Sequence, residues 1–208
     1  VDDANAASDI VVNTCGFIED AKRESIETIL EAVQFKKTGD RRVFVTGCLS
    51  QRYRSDLQRE IPEVDGFFGA QNIPQVADEL SRHLGLEPLK SSCEERLVST
   101  GPGYAYLKIA EGCDNTCSFC AIPLIRGRHV SRPEAEILQE AWGLTEAGVQ
   151  ELVIVSQDTT YYGKDLHDGS SLVHLLGKLS DIPTVRWLRL LYTYPDRISD
   201  DLIDLMAE

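Results

Sequence analysis

The chain has 208 residues, 42% of them hydrophobic, enough to bury a core in one large or two small domains. Formal net charge is −13, spread over both halves: residues 1–100 carry 12 basic and 18 acidic side chains, the rest 9 and 16. That acidity argues against broad attraction to phosphate backbones and suits a basic protein partner or plain solubility.

With no run of 18 apolar residues, no helical membrane span is expected. The acidic start "VDDANAASDI" lacks a secretion signal, so the six cysteines are expected to meet a reducing compartment, where short spacings favour metal binding or redox chemistry.

In chain order, "DIVVN" at residues 9–13 reads as a strand ending in "TCG". A helical pattern follows, with Ile18, Ile26, Ile29, Leu30 and Val33 at roughly helical spacing. "RRVFVTGC" repeats the arrangement and leads into polar "LSQRYRSDLQRE". "VDGFFGA" is read as a third strand before an amphipathic segment from Ile73 to Leu84. Strand and helix alternate, so a parallel α/β sheet is expected.

Residues 87–102 break the rhythm with two prolines and charged "CEER" and are read as a linker. A second alternation follows: strand "YAYLKIA", a cysteine loop, a helix from about Pro133 to Ala147, and strand "ELVIVS". The loop "QDTTYYGKDLHDG", a helix near Leu172–Leu179, strand "VRWLRLLY" and a helix from about Ser199 complete three β/α units. A full eight-unit barrel needs about 250 residues, so the expectation is a barrel cut short. The expected domains are 1–86, the linker 87–102 and 103–208.

"EGCDNTCSFC" places Cys113, Cys117 and Cys120 directly after a strand. A structural zinc site uses four ligands, commonly as two C-x-x-C knuckles, and no second knuckle follows. Disulfides would leave an odd thiol, and Gly112, Asp114 and Asn115 oppose a helix that would align the three as a buried stripe. Three thiolates on one loop can hold three irons of a [4Fe–4S] cube and leave the fourth open to an outside group, which points to chemistry rather than simple electron transfer. Cys15 and Cys48 each end an apparent parallel strand, where side chains share one crevice; two small buried thiols are the alternative.

"CDNTCSFC", with Phe119 before its last cysteine, resembles the cluster motif of the radical S-adenosylmethionine (SAM) enzymes. The resemblance implies that the open iron binds the amino and carboxylate groups of SAM. Reductive cleavage then yields methionine and a 5′-deoxyadenosyl radical that takes a substrate hydrogen. It puts Phe119 near the adenine, with ordinary packing as the alternative. Ser156, Gln157 and Asp158 stand where this superfamily often carries a Gly-Gly-Glu element that contacts the cofactor's amino group. Arg189 is read as a carboxylate or ribose contact, or else an ordinary ion pair. The basic "RGRHVSR", Arg126 to Arg132, could anchor an anion or offset cluster charge, with a solvated face as the default.

"VVNTCGFIEDAKRESIETI" and "VFVTGCLSQRY" resemble the N-terminal domain of the methylthiotransferases within this superfamily. That domain carries a second [4Fe–4S] cluster on three cysteines. Cys15 and Cys48 match the second and third; the first is expected upstream of Val1, and Cys93 matches none. "NTCGFIEDAK", "YAYLKIAEGCDNTCSFCAIPLIRGRHVSRP" and "SQDTTYYGKDL" look most like the branch that methylthiolates an aspartate of a small-subunit ribosomal protein. A tRNA adenosine methylthiotransferase is the alternative, and a non-catalytic iron–sulfur or zinc module is one of another class.

The resemblance thus implies a cytoplasmic, monomeric transferase using SAM, two [4Fe–4S] clusters and an external electron donor, with no membrane contact and RNA met only within the ribosome. The family's second half-barrel and C-terminal TRAM domain have no counterpart here, so the 208 residues alone are expected to be inactive.

Overall fold

The computed structural model describes residues 7–37, 39–70, 73–87, 98–101 and 103–207. Most of the expected linker, and Cys93 with it, lies outside them. The chain divides into two compact units, the first formed by residues 1–90 and 119–126 and the second by residues 91–118 and 127–208. Among the described residues, no helix is long and apolar enough to cross a membrane.

The first unit holds strands β1 (Asp9–Thr14), β2 (Arg42–Gly47) and β3 (Gly66–Phe67) in a parallel sheet of that order. Helices α1 (Glu19–Lys37), α2 (Cys48–Glu60), α3 (Ile73–Leu84) and α4 (Ile122–Arg126) complete it. β-Branched Val12, Val43 and Val45 suit a pleated strand and bury against Ile29, Ala32 and Val33 of α1 and Leu49 and Leu57 of α2. Full burial of one such side chain contributes about 1.5–3 kcal/mol. Glu19 and Asp20 in the first turn of α1, and Lys36 and Lys37 in its last, complement the helix dipole.

Ile26 and Leu30 do not join the buried stripe of α1. They stay partly exposed and line a groove with Leu49 and Tyr53 of α2, because each sits one residue off the Ser25–Ile29–Ala32 face. Helix α4, which the sequence reading does not contain, is only five residues long. Its signals are Pro123 in its first turn and Gly127 directly after its end.

The second unit is built on β4 (Tyr104–Lys108), β7 (Glu151–Val155) and β8 (Trp187–Leu190), parallel and ordered β4-β7-β8. Ala105, Leu107, Leu152 and Ile154 point to one face. There they bury with Ile137, Ala141 and Leu144 of α5 (Glu134–Glu146) and Leu172, Leu175 and Leu179 of α6 (Leu172–Ser180). Helix α7 (Asp200–Ala207) adds Leu202 to the same core. The other face shows Tyr104, Tyr106 and Trp187 to solvent.

The class is therefore α/β with open parallel sheets, as the alternating pattern implied. One expected strand divides. "YAYLKIA" ends as β4 at Lys108, and β5 (Ala110–Glu111) turns to pair antiparallel with β6 (Val130–Ser131). Ile109 is the pivot: its N–H donates to Val155 O (3.0 Å) and its carbonyl accepts from Arg132 N (2.9 Å).

Candidate functional site

In the second unit the chain leaves β5 toward Cys113 and Cys117 through a narrow neck; Cys120 and Phe119 fall among the residues grouped with the first unit. Gly112 has φ +79°, and a Cβ there would lie 2.0 Å from Arg128 O. Only glycine allows both that left-handed backbone and that approach. The next residue, Cys113, donates its N–H to Gly127 O (3.1 Å). The Asp114 carboxylate accepts from His129 N (3.0 Å) and Arg128 Nη2 (3.3 Å); the His129 amide first, then the Arg128 guanidinium, holds it below its ordinary pKa. Residues 112–117 form no helix, so the three cysteines do not line up as a helical stripe.

Beyond the neck, Asn115 donates Nδ2 to Asp158 Oδ2 (2.9 Å) and accepts from Arg197 Nη2 (2.8 Å). Arg197 Nη1 also pairs with Asp158 Oδ2. Asp158 is 3% exposed, and its other oxygen accepts from Thr160 Oγ1 (2.5 Å). Cys113 is buried, Cys117 and Cys120 half-buried, while Phe119 is 86% exposed.

Gln157, at the end of β7, donates Nε2 to Glu111 Oε1 (2.9 Å), and its buried Oε1 has no partner among the described residues. Ser156 is buried, its hydroxyl accepting from Asp158 N (3.2 Å). Arg189 sits within β8 in register with Val153, and its side chain reaches back to Glu151 (2.5 Å), which opens β7, so it does not join the polar group at the strand ends.

Buried His129 and Ser131 and half-buried Asp165 form a linked trio beside the loop neck. His129 Nε2 is 3.1 Å from Ser131 Oγ, which donates to Asp165 Oδ1 (2.5 Å). Burial drives the imidazole below its usual pKa despite the pull of Asp165, Asp158 and Asp114, which favours its neutral form. Burial raises the Asp165 carboxyl, yet its bonds from the Ser131 hydroxyl and amide outweigh this and leave it lowered.

In the first unit, Thr14 and Gly47 are register partners, so Cys15 and Cys48 are the next residues on adjacent chain segments. Gly47 has φ +106°, and a Cβ there would lie 2.3 Å from Thr14 O; one at Gly16 would lie 2.7 Å from Leu49 Cα. The two glycines let the strand ends close together. Cys15 is exposed, and its N–H donates to Ser25 Oγ (3.0 Å). Cys48 is the first residue of α2, and Arg126 Nη2 lies 3.5 Å from its Sγ while Nη1 donates to Ala70 O (3.0 Å).

"RGRHVSR" is thus no single basic face: Arg126 turns to Cys48, Arg128 to Asp114, and Arg132 to Lys108 O and Glu140. The sequence reading missed Asn115, Thr160 and Arg197, each an ordinary polar residue whose role depends on a partner at least 34 positions away or on the buried Asp158.

The five described cysteines are free thiols. Among the described residues, no three His, Cys, Asp or Glu side chains are gathered in a metal-holding geometry. The donor chemistry nevertheless fits iron: as thiolates, these cysteines would be soft ligands for a cluster, and the orphan Gln157 side-chain carbonyl can accept from an ammonium group.

Residues 1–69 match the Uncharacterized protein family UPF0004, and residues 107–208 match the Radical SAM superfamily. The chain is 53% identical over 198 residues to the ribosomal protein uS12 methylthiotransferase RimO of Aquifex aeolicus, covering 95% of this chain and 44% of that protein. It is 49% identical over its whole length to the RimO of Chloroherpeton thalassium, of which it covers 47%. The chain therefore spans about half the length of these curated relatives. Among solved structures, the radical SAM methyltransferase TsrM of Kitasatospora setae aligns over 97% of this chain and 46% of its own, with a TM-score of 0.65 at 15% identity, a likeness of fold alone. The chain thus carries a UPF0004 match followed by a Radical SAM match, and relatives of one name resemble nearly all of it at about half identity.

Proposed function

We propose that the protein from which these residues come is a methylthiotransferase that adds a methylthio group to the β-carbon of an aspartate in ribosomal protein uS12. The observation that carries the reading is the C-x3-C-x2-C loop that follows β5, inside the Radical SAM match, on a chain about half identical to relatives named for that activity. We assign residues 1–86 to a cluster-binding domain, 87–102 to a linker and 103–208 to the first half of a radical SAM barrel.

Cys113, Cys117 and Cys120 would hold one [4Fe–4S] cluster, and Cys15 and Cys48 two positions of a second. When bound, the first cluster and SAM supply reductive carbon–sulfur cleavage and, from it, abstraction of hydrogen from an unactivated carbon. The residues of this chain bind and orient. Gln157 Oε1, buried and unpartnered, is the acceptor for the ammonium of SAM, and Glu111 fixes its amide through Nε2. Ser156 and Asp158 complete the strand end that frames the ligand, and exposed Phe119 offers a ring for the adenine. Arg189 would reach a carboxylate only by exchanging its Glu151 partner. Cys15 and Cys48 would hold the second cluster, which would supply the sulfur.

An external reductant supplies the electron, and an acidic surface suits a basic ribosomal protein. The ribosome places the enzyme in the cytoplasm, where it meets RNA only as part of that particle; we propose that it works as a monomer. The test uses protein of the relatives' full length, reconstituted anaerobically, reduced and given SAM, with uS12 and tRNA in parallel. Release of 5′-deoxyadenosine together with a methylthio mass on a uS12 aspartate is the expected result. No 5′-deoxyadenosine overturns the enzyme reading; modification of tRNA alone overturns the substrate.

A further inference from the structure

The ring of Asn115, Asp158 and Arg197 does something the proposed reaction does not require of it. Asn115 lies between Cys113 and Cys117, Asp158 follows β7, and Arg197 ends the short 3-10 turn Pro195–Arg197 that follows β8. Three loops at the strand ends are therefore tied together by one closed set of side-chain bonds.

The guanidinium is committed to this task. Nη1 is held by Asp158 and Nη2 by Asn115, while the Tyr161 and Tyr194 rings lie 5.0 and 4.9 Å from its carbon. The tyrosines are positioned in turn: Tyr194 N donates to Thr160 Oγ1 (3.2 Å), whose hydroxyl donates to Asp158 Oδ1. A planar cation with two occupied edges and two flanking rings is poorly placed to meet a ligand. It is well placed to hold the chain on which Asn115 sits.

We propose that Arg197 is a positioning residue for the cysteine loop, acting through Asn115 to hold the span from Cys113 to Cys117 in a cluster-binding shape. This rests on the reading that the loop carries a [4Fe–4S] cluster. The loop after β8 then controls how firmly the cluster is held, although it offers no ligand to it. Outer partners of metal ligands typically alter affinity by about 10–100-fold, and the same scale is expected here.

The test uses the 208-residue chain with Cys15→Ala and Cys48→Ala, so that bound iron reports the loop alone. After anaerobic reconstitution with iron and sulfide, the rate of iron loss to a chelator is measured for this parent and for Asn115→Ala, Arg197→Met, Arg197→Lys and the Asn115→Ala/Arg197→Met double variant. The melting temperature of each metal-free chain is measured beside it.

Each single variant should lose iron on the order of ten-fold faster. The double should be no faster than Arg197→Met, because both changes break one linkage. Lysine should not rescue, since an ammonium cannot bridge two partners as a flat fork does. Asn115→Ala should speed loss while leaving the metal-free melting temperature near the parent's, which a general folding role would not do. If the parent takes up no more iron than its Cys117→Ser variant, the cluster reading falls and the clamp with it. If the parent holds iron and the single variants hold it equally well, or the double is multiplicatively faster, the clamp alone is overturned.

Discussion

Replacing Gly112 by alanine should damage the second unit far more than one added carbon's worth of surface suggests. The residue has φ +79°, where a Cβ costs roughly 1–2 kcal/mol. That Cβ would stand 2.0 Å from Arg128 O and 2.8 Å from Gly127 O, both backbone atoms that no side-chain rotation can clear. Forcing such groups apart in a packed region costs about 1–3 kcal/mol. Gly127 O also accepts from Cys113 N at 3.1 Å, and losing that bond costs about 1 kcal/mol more.

The sum is roughly 3–6 kcal/mol, a large share of the stability of one domain. Gly148→Ala is the control, because φ there is +96° but nothing lies within 4 Å of an added Cβ. It should lose only the backbone part, about 1–2 kcal/mol. Both tryptophans, Trp142 and Trp187, lie in the second unit, so urea unfolding followed by tryptophan fluorescence reads that unit alone. Equal midpoints for the two alanine variants would refute the close approach at the loop neck.

Gly47→Ala should open the first unit between β1 and β2, since its Cβ would meet Thr14 O at 2.3 Å; faster hydrogen exchange along Asp9–Thr14, with β7 unchanged, is the expected pattern. His129 carries a depressed pKa in the folded state, so the unfolded chain takes up the proton first. Stability of the second unit should therefore fall as pH drops below about 6.5, and His129→Gln should flatten that slope in urea titrations from pH 7.5 to 5. Ile154→Ala removes a fully buried side chain from β7 and should cost about 2–5 kcal/mol in the same assay; a loss under 1 kcal/mol would contradict the core described.

The elements that read most clearly from sequence are those whose physical cause is local. Ile73–Leu84 is observed with the bounds expected, because an amphipathic period needs only its own residues. The strand ahead of the cysteine loop was legible up to Lys108. Its turn at Ile109 was not, because that turn depends on Val155 and Arg132, distant partners invisible in a local pattern. Helix α4 was missed for another reason: five residues are too few to show a period.

The candidate site divides in the same way. Which thiols belong to the cysteine loop, and that a chemical rather than merely structural role suits three of them, is written in spacing and residue type. So is the α/β class, since alternating strand and helix periods leave few architectures open. What holds the loop is not. Asn115 and Arg197 are 82 residues apart, and only the parallel order β4-β7-β8 brings their loops to one end of the sheet. The basic run from Arg126 to Arg132 shows the converse: residues adjacent in sequence are sent to Cys48, Asp114 and Glu140, because each guanidinium follows the nearest acceptor and not its neighbour. Composition and spacing determined the chemistry this protein is equipped for; long-range hydrogen bonds between strand ends decided which side chains hold that equipment in place.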